Sequence, residues 1–178
     1  MEPPKGEKEE LQGEICPFCH SPNLILREEE VEVPYFGKVF LFSMTCRGCK
    51  YHKSDVECSE PKPPARYTLD VTCEDDMKIR VVRSSEGTIK IPRIGSIEPG
   101  AAANGYVTNV EGVLTRIKDQ LEHLKDDAEE DDETKDKARA MIKKLNRVIW
   151  GQESVKLIIE DPTGNSAIVS DKAVKTKM

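Results

Sequence analysis

Four cysteines fall in two Cys-x-x-Cys pairs, Cys16-Pro17-Phe18-Cys19 and Cys46-Arg47-Gly48-Cys49. A pair at this spacing turns tightly enough to present both sulfurs to one ion, and two pairs supply the four soft ligands of a tetrahedral Zn²⁺. A complete sulfur shell leaves no coordination position for water. The chemistry expected is therefore structural: one Zn²⁺ held by Cys16, Cys19, Cys46 and Cys49, with no hydrolysis at the ion. Redox dithiols are the competing use of such pairs, but that use predicts a single motif beside a βαβ unit. His20 and His52 lie close to the knuckles and could substitute as ligands. With both cysteine pairs complete, they read as solvent-facing neighbours or as donors to the ligands. His123 belongs on the surface, and Cys58 and Cys73, outside the paired spacing, read as ordinary small or buried residues.

The knuckles must be brought together by what lies between them. Residues 20–45 contain two apolar-rich segments, Leu24 to Val33 and Val39 to Thr45, divided by Pro34-Tyr35-Phe36-Gly37-Lys38. An antiparallel hairpin returns the second pair to the end where the first began, so a zinc ribbon is expected over 13–58. The separation exceeds the usual spacing of about 15 to 20 residues, which predicts a longer hairpin. Residues 1–12 are polar and Pro-containing, and read as a flexible tail. Ser59 to Ala65 holds three prolines in seven residues, which places a semi-rigid domain boundary there.

A β-rich domain is expected over 59–178. Tyr67, Leu69, Val71 and Cys73 alternate with polar residues, and so do Met77, Ile79 and Val81 after an Asp75-Asp76 turn; both read as half-buried strands. Short strands continue around Ile89 to Ile97, and again at Val155 to Ile159 and Ala167 to Val169, with Asp161-Pro162-Thr163-Gly164-Asn165 as the turn between them. A helical hairpin is inserted at about 109–150. Thr108 and Glu111 match a capping box, and Val110, Leu114, Ile117, Leu121 and Leu124 recur at helical spacing. Ala138, Met141, Ile142, Leu145, Val148 and Ile149 line a second helix that stops near Gly151. Asp126 to Glu133 carries seven acids in eight residues, and reads as a solvated loop at the hairpin tip.

Lys and Arg total 27 against 33 Asp and Glu, so the net charge is −6 and a broad phosphate footprint is not expected. Mean composition, 37% hydrophobic and 34% charged, fits a soluble protein with a modest core. No apolar run approaches the roughly 18 residues that span a bilayer, and Met1 to Glu10 lacks the apolar stretch of a signal peptide. A cytoplasmic protein with no membrane partner is expected.

The segment Val31-Glu32-Val33-Pro34-Tyr35-Phe36-Gly37-Lys38-Val39, followed by Ser43-Met44-Thr45-Cys46, resembles the ZPR-type zinc-finger protein family. Thr108-Asn109-Val110-Glu111-Gly112-Val113-Leu114 and Asp161-Pro162-Thr163-Gly164-Asn165-Ser166 match further family segments in the same order, so the resemblance covers roughly 14–170. It implies a ribbon similar to that of a translation initiation factor, joined to a double-stranded β-helix-like domain that carries the helical hairpin. One module is present where eukaryotic relatives have two, as in the shorter archaeal form. The resemblance also implies association with translation elongation factor one-alpha, a GTPase, including assistance to its folding.

A zinc-binding protein-interaction module is the expected function. Tyr35 and Phe36, at the hairpin bend, are the candidate partner-binding residues, whereas Phe40 and Phe42 are expected to pack the ribbon against the second domain. The alternative is a zinc-ribbon protein binding RNA or DNA, for which Arg47, Lys50, His52 and Lys53 form a small basic group beside the second knuckle. No enzyme is expected: no nucleophile motif is evident, and Gly100 to Gly105 lacks the Lys-Ser/Thr ending of a phosphate loop, so it reads as a flexible connection.

Overall fold

The computed structural model describes residues 8–34, 36–100, 103–127 and 130–178. Four strands, β1 (Lys8–Glu14), β2 (Leu24–Val33), β3 (Gly37–Cys46) and β4 (His52–Cys58), form an antiparallel sheet in chain order. β2 and β3 pair without interruption from Leu24↔Cys46 to Val33↔Gly37. This is the long hairpin that the distance between the knuckles requires. The expected tail is corrected over 8–12, which pair with β2 from Lys8↔Glu29 to Gln12↔Ile25. Every side chain of β1 is exposed, so no burial pattern marks it in the sequence; the free edge of β2 creates the strand.

Beyond the proline-rich segment come β5 (Ala65–Val71), β6 (Arg80–Arg83), β7 (Thr88–Ile91), β8 (Gly95–Ile97) and β9 (Tyr106–Asn109). Two helices follow, α1 (Val110–Asp126) and α2 (Asp132–Ile149), and then β10 (Val155–Asp161), β11 (Ala167–Val169) and β12 (Val174–Lys177). One sheet has the order β12-β5-β10-β7-β8, the other β11-β6-β9. Both feed a single core. Leu69, Val71, Ile89, Ile91, Leu157 and Ile159 enter it from the first sheet, Val81 and Ile168 from the second. Val113, Leu114 and Ile117 of α1, with Leu145 and Val148 of α2, close it over. The result is mainly β with a helical hairpin, as expected. Among the described residues, no helix is long and apolar enough to cross a membrane.

Two local expectations are corrected. Met77 does not begin a strand: Glu74–Lys78 forms a 3-10 turn and β6 starts at Arg80. The buried Asp76 carboxylate imposes the turn by accepting from the Thr72 and Cys73 backbone N–H groups, at 2.9 and 3.3 Å, and from Lys172 Nζ at 2.6 Å. The cap of α1 is Asn109, not Thr108. Asn109 Oδ1 accepts from Gly112 N at 2.8 Å, while Thr108 is held in β9 opposite Val81. A Cβ at position 112 would lie 2.2 Å from Thr108 Oγ1, so the glycine is what lets the strand run directly into the helix.

The ribbon is seated on the second domain by its inner face. Val33, Val39 and Val56 pack with Val82 of β6, and Leu41, Cys58, Val107 and Val169 pack against them. Polar contacts fix the register. Ser85 N donates to Asp55 Oδ1 at 2.8 Å, Ser54 N to Asn104 Oδ1 at 2.8 Å, and Cys58 N to Asn165 Oδ1 at 3.0 Å. The end of the 100–105 connection is thereby tied to β4, and Gly105 N also donates to Ser54 O at 2.9 Å; Ala101 and Ala102 lie outside the described residues.

Candidate metal centre

Each knuckle closes the same way. His20 N donates to Cys16 O at 2.9 Å and Lys50 N to Cys46 O at 3.1 Å; Cys16 N donates to Ser21 O at 2.9 Å and Cys46 N to Tyr51 O at 2.8 Å. The residue after each second cysteine takes a left-handed backbone, φ 57° at His20 and 64° at Lys50. Because Cys46 ends β3 opposite Leu24 at the start of β2, the hairpin sets the two knuckles side by side.

The four sulfurs all lie within 4.8 Å of one another. Cys16 Sγ is 3.8 Å from Cys49 Sγ, and Cys19 Sγ is 3.7 Å from Cys46 Sγ. A tetrahedron with Zn–S bonds of about 2.3 Å has S···S edges of about 3.8 Å, whereas a disulfide needs about 2.05 Å. Donor chemistry and spacing both fit one structural Zn²⁺. Cys16 and Cys46 are fully buried beneath Leu24, Leu26, Met44 and Tyr51, while Cys19 and Cys49 face solvent.

Electrostatics agree with a cation at the centre. Hydrogen bonding with Ser21 pulls the Cys19 thiol down to about 6, and the backbone at Cys49 and Gly48 lowers Cys46. A backbone bond at Tyr51 lowers Cys49, but desolvation by the atoms crowding its sulfur and the neighbouring sulfurs of Cys19, Cys46 and Cys16 outweigh it and push that thiol up to about 12. Sulfurs this close cannot all ionise against one another; a divalent cation removes that conflict.

The remaining expected residues separate. His20 and His52 are exposed, and His52 Nδ1 is 3.0 Å from Thr45 Oγ1. His123 is exposed, Cys73 is exposed, and Cys58 is half-buried against the inner valines. Arg47, Lys50 and His52 are exposed and Lys53 is half-buried; as successive strand residues, His52 and Lys53 point to opposite faces of β4. Tyr35 lies outside the described residues. Phe36 is half-buried, packs against the inner valine cluster and carries Lys62 Nζ 3.5 Å from its ring centroid; its remaining surface lines a cavity of about 430 Å³ with Tyr67 and Val169.

Phe40 and Phe42 do not pack the ribbon onto the second domain, which corrects the expectation. They alternate with Val39 and Leu41, which take the inner face, and so lie on the outer one. There Phe42, Leu11, Leu26 and Met44 line a groove of about 380 Å³ rimmed by Glu9 and Glu28. Sequence reasoning missed three further residues: Leu11, Ile15 and Phe18 are 60%, 61% and 76% exposed, and the Phe18 ring stacks on Tyr51 at 5.7 Å. The available signal was Phe18 itself, an aromatic inside a knuckle too small to bury it.

Comparison with known proteins matches both halves. The family model described as the ZPR1 zinc-finger domain covers residues 9–63, and that of the ZPR1 jelly-roll domain covers 75–178. The chain is 38% identical over 165 residues to an uncharacterized ZPR1-like protein of Methanocaldococcus jannaschii, covering 92% of this chain and 83% of that protein. It is 37% identical over 179 residues to an uncharacterized ZPR1-like protein of Pyrococcus horikoshii, covering 98% and 80%. The zinc finger chaperone zpr1 of Schizosaccharomyces pombe is 31% identical over 139 residues, which is 76% of this chain and 30% of that longer protein.

Proposed function

Because the chain belongs to the ZPR1 family, we propose that Cys16, Cys19, Cys46 and Cys49 hold one structural Zn²⁺ and that the ribbon so fixed binds translation elongation factor one-alpha and assists its folding. The observation that carries this reading is the outer face of the ribbon, over which no other described element packs. Its groove of Leu11, Leu26, Phe42 and Met44 adjoins the apolar packing around Leu24 and Tyr51, on which Phe18 is stacked. An apolar strip rimmed by carboxylates suits a protein surface with apolar anchors and a basic border. A relative named a zinc finger chaperone supports the same class of work. Zinc here is a brace and not a catalyst, since a four-sulfur shell admits no substrate oxygen.

The test is capture of the elongation factor from the organism's own lysate by the full chain, in several nucleotide states and at raised salt. Salt-tolerant co-purification is expected, weakened about 10-fold or more by Phe18→Asp or Phe42→Asp with zinc content unchanged. Absence of the factor in every state refutes the reading. RNA binding that collapses with salt would replace it with the nucleic-acid alternative.

A further inference from the structure

Among the described residues, Arg83 is a buried cation without an anion. Its side chain is 2% exposed; Nε donates to Gly87 O at 2.8 Å and Nη1 to Asn104 O at 2.9 Å, while Nη2 is buried and, among the described residues, has no hydrogen-bond partner. The Tyr106 hydroxyl is likewise buried and, among the described residues, makes no hydrogen bond of good geometry. These two groups are neighbours because Arg83 of β6 pairs directly with Tyr106 of β9. Across the same ring, the Arg116 guanidinium of α1 stands 4.2 Å from the centroid and that of Arg83 5.5 Å. All three line a cavity of about 400 Å³ with Asn104 and His123. Among the described residues neither arginine forms an ion pair.

A desolvated guanidinium with an idle N–H is costly unless something supplies the charge, and two arginines converging on one cavity are the usual means of gripping a carboxylate or phosphate. The volume lies within the range of small-molecule sites, about 300 to 1,000 Å³. Burial pushes the Tyr106 hydroxyl up against the pull of the Arg83 and Arg116 charges and of the nearby Arg83 side chain, so it stays protonated. Glu98 and Asp119 also line the cavity, and Glu98 Oε1 accepts from Ser96 Oγ at 3.2 Å. Those acids offset part of the arginines' charge at the cavity wall.

We propose that the cavity between β6, β9 and α1 binds a small molecule carrying a carboxylate or phosphate, gripped by Arg83 Nη2, the Tyr106 hydroxyl and Arg116. The site is separate from the metal centre, but Asn104, which lines it, accepts from Ser54 N of the ribbon.

Titration of the full-length, zinc-loaded chain with inorganic phosphate and with succinate, each against sodium chloride at matched ionic strength, tests this by calorimetry and by the NMR signals of the His123 ring. Saturable binding of at least one probe is expected, with His123 shifting in step, and whichever binds more tightly identifies the group. Arg116→Gln lies on an exposed helix face and leaves the fold intact; it weakens binding about 10-fold or more. Arg83→Lys tests the buried arm, and should it fail to fold, Tyr106→Phe replaces it with an expected several-fold loss. No saturable binding beyond the chloride control, or undiminished affinity in Arg116→Gln, overturns the proposal.

Discussion

His20 and Lys50 occupy equivalent places in the two knuckles, each in a left-handed backbone that side chains with a Cβ adopt at a cost of about 1 kcal/mol. Lys50→Gly should therefore stabilise the ribbon by about 0.5–1 kcal/mol, read as a higher chelator concentration at half-release of zinc. The four cysteines proposed as ligands are far less tolerant. Cys46→Ser removes one sulfur from a shell whose binding energy is also folding energy, of order 10 kcal/mol for small zinc domains. Zinc content should fall from one ion per chain to near none, and the 8–58 segment should become protease-sensitive while 65–178 persists. A variant that still holds one tightly bound ion would refute the ligand assignment.

Among the elements, the turn from β10 to β11 is tied both to its own domain and to the ribbon. Asp161 Oδ1 accepts from Thr163 N at 2.7 Å, Oδ2 accepts from Ser84 Oγ at 2.7 Å and from the Ser166 hydroxyl, and Asn165 receives the Cys58 N–H. Gly164 has φ +74°, and a Cβ there would meet Lys62 O at 2.5 Å and Pro63 O at 2.6 Å. Both obstacles are backbone atoms and cannot swing aside. Gly164→Ala should cost about 2 kcal/mol or more in thermal unfolding, and loosen the 59–64 segment in hydrogen exchange. Asn109→Ala, by contrast, removes one cap of α1 and should cost about 1 kcal/mol.

For the whole molecule, buried carboxylates set the response to acid. Burial pushes the Asp76 carboxyl up, but Lys172 and the N–H groups of Thr72 and Cys73 outweigh it and hold the group well below its ordinary range. Asp161 behaves the same way, lowered against its burial by Ser166, Thr163 and Ser84. A carboxyl whose folded pKa lies below its unfolded value of about 4 contributes stability that is complete above that value and fades as pH falls toward the folded one. Tm should hold steady from pH 7 to about 5 and drop below about 4. Asp76→Asn should be less stable by about 2 kcal/mol at pH 7 and lose less on acidification. An equal acid slope in both proteins would show that Asp76 is not responsible.

By itself the sequence determined the four cysteines that cluster, the long hairpin, the two helices and the proline-rich exit from the ribbon. Each is a local pattern: ligand spacing, strand alternation or helical periodicity within a few turns of chain. Only the tertiary structure decided which face of β3 meets the second domain, turning Phe40 and Phe42 outward and Phe36 partly inward. It alone made β1 a strand, through the free edge of β2, and made Asp76 the seat of a turn, through Lys172 from the far end of the chain. Arg83 was invisible for the same reason. Whether an arginine is buried without an anion depends on which strand pairs with its own and which helix covers both, and no spacing along the chain encodes that.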